Sequence, residues 1–210
     1  MLLTIVAARA SGGNLTKVWE LRLSDLTGGK IRDPVANVIS VSFSPDGRRL
    51  AVVVWGGQQH RGEQTLVVMD LNNPRDHVQM LEYDGPAGAA AISWSATGEQ
   101  IAVPEVFQAL GQPPCVLEHT IRTVFYDSNR VADAQPGFPR SNLLFFDTHC
   151  TPTGSWEMNG MWTLTDGSAE RHLLALANGV RATQIMVVDP VGKRIVNRWP
   201  VKIEIGRAHV

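Results

Sequence analysis

The chain has 210 residues, is 44% hydrophobic and 19% charged, and carries a formal net charge of −1. That balance fits a folded, β-rich protein, offers no basic stripe for nucleic acid or an anionic membrane, and contains no apolar run near the roughly 20 residues of a membrane-spanning helix. Glycine (19) and proline (12) are spread along the chain rather than massed in a linker, so one domain is expected over residues 1–204.

The amino terminus, Met1 to Ala10, lacks a basic region and has a very short apolar stretch, so it predicts a strand over Leu3 to Ala8 rather than a complete signal peptide. A second strand ends at Leu21-Arg22-Leu23-Ser24-Asp25. From Ile39 the pattern is fuller: Ile39 to Phe43, a Ser44-Pro45-Asp46-Gly47 turn, Arg49 to Trp55, a polar loop holding His60, Arg61 and Glu63, Thr65 to Asp70, and His77 to Leu81. Short apolar runs with turn residues at each junction predict four strands joined as hairpins. The pattern restarts at Ala91 to Ser95, turns at Ala96-Thr97-Gly98 and continues over Gln100 to Val103. It restarts again at Met161 to Leu164, with a turn expected at Asp166-Gly167, then His172 to Ala177, Thr183 to Asp189 and Lys193 to Trp199.

Four strands end in aspartate, at Asp25, Asp70, Asp147 and Asp189, spaced 45, 77 and 42 residues apart. A period near 45 with four strands per period is the signature of a β-propeller blade. The aspartates, with Asp46 in its own turn, are expected to be structural, accepting hydrogen bonds from backbone two residues on. Five of the six tryptophans (Trp19, Trp55, Trp94, Trp162 and Trp199) fall on or beside strands, where packing between blades is the expected role. The fold class predicted is all-β, an incomplete ring of about three and a half four-stranded antiparallel blades over 1–34, 37–83, 89–159 and 160–202. From turn glycine to strand aspartate the second blade runs 70 − 47 = 23 residues, the fourth 189 − 167 = 22 and the third 147 − 98 = 49, which implies an insertion of about 26 residues in the third blade, over 104–142.

That insertion draws the functional expectation, because long loops on a rigid scaffold carry recognition. Its polar residues Glu118, His119, Arg122, Tyr126, Asp127, Arg130 and Arg140 are candidate partner contacts, with His60 and Arg61 expected on the same face. The stretch Glu118 to Tyr126 alternates well enough for a small extra hairpin. Cys115 and Cys150 are 35 residues apart; they are either a bridge, which would imply an oxidising, periplasmic or secreted setting, or two separate thiols. Cys115, His119, His149 and Cys150 are zinc-type ligands, yet an adjacent His-Cys pair seldom aims both side chains at one tetrahedral ion, so no metal is expected. No nucleophile elbow, H-E-x-x-H helix or P-loop occurs, and neither catalytic residues nor a cofactor is expected.

The run Ser42-Phe43-Ser44-Pro45-Asp46-Gly47-Arg48-Arg49-Leu50-Ala51-Val52-Val53, followed by Leu66 to Leu71, resembles the WD-like β-propeller repeat of the Tol-system periplasmic type, and is similar to repeats in propeller domains of prolyl oligopeptidase relatives. The match covers the second blade well and the third in part; the Trp-Asp and Gly-His dipeptides of true WD repeats are missing. The resemblance implies a non-catalytic scaffold binding a protein or small ligand through the insertion face, or else the propeller portion of a larger hydrolase. The final residues, Ile205 to Val210, fit no strand and read like a translated sequencing adapter, so they are set aside. Three and a half blades fall short of a closed ring, so the remaining blades are expected from a longer polypeptide.

Overall fold

The computed structural model describes residues 4–11, 14–22, 25, 37–55, 63–73, 78–84, 91–117, 122–137, 139–178 and 184–201. Among these, eighteen strands form one two-stranded and four four-stranded antiparallel sheets. The chain packs as two compact units, Met1–Ala90 and Ala91–Val210, where composition suggested one. The boundary follows Gly85-Pro86-Ala87-Gly88, a sequence too short to stand out as a linker.

In the first unit, β1 (Thr4–Ser11) and β2 (Asn14–Arg22) make a hairpin. A four-stranded meander follows: β3 (Asn37–Phe43), β4 (Arg49–Trp55), β5 (Glu63–Asp70) and β6 (Val78–Asp84). Strand β4 is buried on both faces, which its continuous Leu-Ala-Val-Val-Val run requires. Leu50, Val52 and Val54 meet Val67 and Met69 on one face, while Ala51, Val53, Leu66 and Val68 are buried on the other. The β3–β4 turn is closed by side chains. Ser44 Oγ donates to Asp46 Oδ1 at 2.6 Å, the Arg48 amide donates to the same oxygen at 3.0 Å, and Gly47 supplies the positive φ of 67°.

The second unit holds three more meanders: β7 (Ser93–Trp94), β8 (Gln100–Val103), β9 (Val106–Ala109) and β10 (Cys115–Val116); β11 (Thr123–Asp127), β12 (Arg130–Gln135), β13 (Arg140–Asp147) and β14 (Pro152–Asn159); and β15 (Trp162–Ser168), β16 (Leu173–Asn178), β17 (Gln184–Asp189) and β18 (Arg194–Pro200). The stretch 89–159 is therefore two sheets, and there is no insertion at 104–142. Pro104-Glu105 is a two-residue hairpin turn, with proline followed by a residue at φ 66°, the sequence of a type II turn. The expected extra hairpin over Glu118 to Tyr126 ends instead in β11, the first strand of its own blade.

The spacing misled because one blade lacks the aspartate. The Leu71 amide donates to Arg48 O at 2.7 Å beside Asp70, and the Leu110 amide makes the same bond to Glu99 O at 2.9 Å beside Ala109. Ala109 thus holds the aspartate's place, 39 residues after Asp70 and 38 before Asp147, and splits the long interval into two ordinary ones. The turn expected at Asp166-Gly167 also moves. Strand β15 runs on to Ser168 through a register shift between Leu164 and Asp166, and the turn falls at 169–172.

Within this unit the sheets stack face to face. Phe107, Cys115 and Leu117 of one sheet meet Phe125 and Val131 of the next; Leu143, Phe145 and Met158 then meet Trp162, Leu174 and Met186 of the third. Their first strands β7, β11 and β15 lie side by side. The Phe125 amide donates to Ser93 Oγ at 3.0 Å, and Gly167 lies so close to Phe125 O that a Cβ there would overlap it. Ser141 Oγ accepts from the Trp162 amide at 2.7 Å and donates to Gly160 O at 3.0 Å, which stitches the second and third sheets together.

Candidate functional site

The aspartates at the ends of the third strands act on their turns. Asp70 Oδ1 accepts from the Asn72 amide at 2.8 Å, Asp147 Oδ1 from His149 and Thr151 at 2.9 Å each, and Asp189 Oδ1 from Val191 at 3.1 Å and Gly192 at 2.9 Å. Bonds from the Thr151 backbone, chiefly, hold the Asp147 carboxyl below its ordinary range; for Asp189 the Gly192 amide leads, followed by Arg194; for Asp46 the Ser44 hydroxyl leads. Asp25 is exposed.

The predicted contact residues that lie among the described residues do not gather at one end of their sheet. His60, Arg61, Glu118 and His119 lie outside the described residues. Arg122 and Arg140 sit at one end of the β11–β14 sheet, while Tyr126, Asp127 and Arg130 sit at the other, across the β11–β12 turn. Arg140 pairs with Glu157 on the neighbouring strand at 2.6 Å, exposed to solvent. Cys115 and Cys150 are joined by a disulfide, so neither sulfur is a thiolate ligand and the zinc set dissolves.

At the β11–β12 end the structure assembles a polar cluster the sequence did not indicate. His172 Nδ1, in the β15–β16 turn, lies 3.3 Å from Asp127 Oδ2. Burial pulls the Asp127 carboxyl upward, but hydrogen bonds from Ser128 and Asn129 and the nearby His172 outweigh it, leaving it below its ordinary range. Burial raises the Tyr126 phenol, opposed by Arg130. Beside this cluster lies a pocket of about 330 Å³ lined by Asp166, Gly167, Ser168, Arg171, Leu173, Leu174, Ala175 and Val187. Its floor is aliphatic and its rim carries a carboxylate, a hydroxyl and a guanidinium. Arg122, reaching from the start of β11, interacts electrostatically with Asp166; burial nonetheless pulls its guanidinium below the ordinary value. No spacing or motif marks Ser168, Arg171 or His172, and Asp166-Gly167 resembled a turn, so only strand pairing brings this group together.

Among the described residues no helix is long and apolar enough to cross a membrane, and no three His, Cys, Asp or Glu side chains group as metal ligands.

No protein-family model matches the chain, and no curated protein matches it. Solved structures do. A chain in the crystal structure of the mitotic checkpoint complex aligns over 95% of this chain and 61% of its own, at 14% identity and TM-score 0.56. The Cps50 (Swd1) β-propeller domain of Myceliophteria thermophila aligns over 79% and 55%, at 14% identity and TM-score 0.53. The β-propeller domain of the Trilobed protease from Pyrococcus furiosus, described as having an open velcro topology, aligns over 81% and 58%, at 13% identity and TM-score 0.52. A prolyl endopeptidase structure aligns over 95% of this chain and 33% of its own, at 15% identity and TM-score 0.57. These likenesses, with the four meanders, define the class: the chain has the β-propeller fold. It spans less than two thirds of each of these structures.

Proposed function

We propose that the chain is a non-catalytic propeller scaffold, and that its partner is a protein segment presenting an aliphatic side chain next to a charged group. The observation that carries this reading is the pocket between Asp166, Arg171 and Val187, an apolar floor under a rim of both charges, which is the usual make-up of a small recognition site. It replaces the insertion face, which the sheet topology removes. The disulfide supports an oxidising, periplasmic or secreted setting, in keeping with the Tol-type resemblance of the Ser44-Pro45-Asp46-Gly47 repeat.

The test is a titration of the dilute, monomeric protein with leucine-containing peptides of either charge, followed by calorimetry. Binding of one charge class, weakened by about tenfold in Arg171→Ala or Asp166→Asn, as expected for losing a charge-assisted contact, supports the site. Peptides that bind equally well to both variants overturn it.

The second reading, a propeller portion of a larger hydrolase, is favoured by the prolyl endopeptidase alignment, which spans 95% of this chain but 33% of that one. A gene encoding an adjoining α/β-hydrolase domain with a nucleophile elbow would decide for it.

A further inference from the structure

The Cys115–Cys150 bridge joins two residues in unlike surroundings. Cys115 is 5% exposed and packs with Phe107, Leu117, Phe125 and Val131 between the β7–β10 and β11–β14 sheets. Cys150 is exposed, at φ 68° in the turn between β13 and β14. The β11–β14 sheet that carries this turn has a neighbouring sheet packed on each of its faces, so the exposure belongs to the turn and not to an uncovered face.

The two ends are also held with unequal strength. The Cys150 amide donates to Asp147 O at 3.2 Å, and Asp147 Oδ1 accepts from the amides on either side of Cys150, those of His149 and Thr151. Strand β10 has less: only Cys115 and Val116 pair with β9, the Leu117 amide adds one bond to Glu105 O at 2.6 Å, and Val116 is 68% exposed. Pro113 and Pro114, just ahead of the strand, have no amide hydrogen to lengthen the ladder. Thiol–disulfide exchange requires the attacking sulfur to approach in line with the bond that breaks, so access to each sulfur decides where it occurs. Cys150 is met from solvent, over the turn. An attacker on Cys115 would first have to displace the apolar side chains packed around it.

We propose that Cys150 is the exchange site of this bridge, and that an external dithiol opens it there. The thiolate of the dithiol attacks Cys150 Sγ; the bond between the two cysteines breaks as the new sulfur–sulfur bond forms, and Cys115 leaves as a thiolate that takes a proton from water. The second sulfur of the dithiol then attacks its first, releasing Cys150, which is protonated in turn. Two electrons pass to the cysteines, and the dithiol ends as a cyclic disulfide. Burial makes Cys115 a slow leaving group, because its charge forms in apolar surroundings; that sets the rate of the step, while access sets its place. Opening acts on one sheet: β10 loses its tether, and the turn around Cys150 keeps the amide bonds to Asp147. The proposal is independent of the peptide-binding reading, since it involves no residue of that pocket.

Trapping the first step tests this on the unaltered 210-residue chain. Reduced glutathione, a monothiol that can complete only the first attack, is added to the native protein, free thiols are blocked with N-ethylmaleimide after short times, and tryptic peptides are analysed by mass spectrometry. Arg122, Arg130 and Arg140 lie between the two cysteines, so each cysteine falls on its own peptide. Glutathione on Cys150 with maleimide on Cys115 is expected to exceed the reverse pattern by about tenfold, the access term being lost when the same chain is treated in denaturant, where the two patterns become about equal. An adduct chiefly on Cys115, an even division between the two in the native protein, or an adduct that forms only in denaturant would each overturn the proposal.

Discussion

The β7–β10 and β11–β14 sheets share one repeat and a common core, but they are held differently. The second has strands of five to eight residues and closes its β13–β14 turn with Asp147, which takes two backbone amides. The first has strands of only two to four residues, and Ala109 where the aspartate belongs. Its last strand is fixed from outside: Cys115, in β10, is bonded to Cys150, in the very turn that Asp147 closes. A sheet too short to hold its own outer edge is thus fastened to a neighbour that can.

Reduction, or Cys115→Ser with Cys150→Ser, breaks this comparison most directly. A loop of 35 residues closed by the bridge is worth about 3–4 kcal/mol on the chain-entropy model. Thermal melting with and without reductant is expected to show a marked drop, and hydrogen exchange is expected to deprotect Val106–Ala109 before Arg140–Asp147. Equal deprotection of both sheets would show that the bridge does not discriminate between them.

Acid separates the sheets by a smaller margin. The Asp147 and Asp189 carboxyls are held below their ordinary value of 3.8 in the fold. A carboxyl lowered on folding contributes stability that is present above the unfolded value and lost as pH falls through the folded one. Melting temperature is therefore expected to decline below about pH 4, with the β13–β14 and β17–β18 turns opening first. In Asp147→Ala that decline becomes shallower, because one of the titrating clamps is already gone. A slope unchanged by the substitution would remove Asp147 from the account.

The smallest effect comes from restoring the missing residue. Ala109→Asp places a carboxylate at the register position that Asp70 holds in the first four-stranded sheet, where it accepts from the Asn72 amide two residues on. A gain of about 0.5 kcal/mol is expected, the low end for a net hydrogen bond, read as a slightly higher melting point and more protection in β9. A loss of stability would mean that the two turns differ in more than one side chain.

Much of this was legible from residue order. Strands β4 and β8 have the bounds that the apolar runs at Arg49 to Trp55 and Gln100 to Val103 predict, and the paired Ser44 and Ser95 turns stand where their Pro-Asp-Gly and Ala-Thr-Gly sequences put them. Strand β9 was hidden because it follows a two-residue turn at Pro104-Glu105 and ends without the aspartate. Strand β10 is only two residues long, too short for any periodicity. The candidate site was less legible still: Tyr126, Asp127 and Arg130 were named among the candidates, but their neighbours Asp166, Arg171 and His172 come from another sheet.

The sequence by itself determined where most strands and turns lie, because alternation, β-branched runs and turn residues act over a few neighbours and need no distant partner. Only the tertiary structure decided which strands share a sheet, that Cys115 reaches Cys150, and that His172 meets Asp127. Those pairings join residues tens of positions apart, through hydrogen bonds and buried faces that leave no mark on the order of the chain.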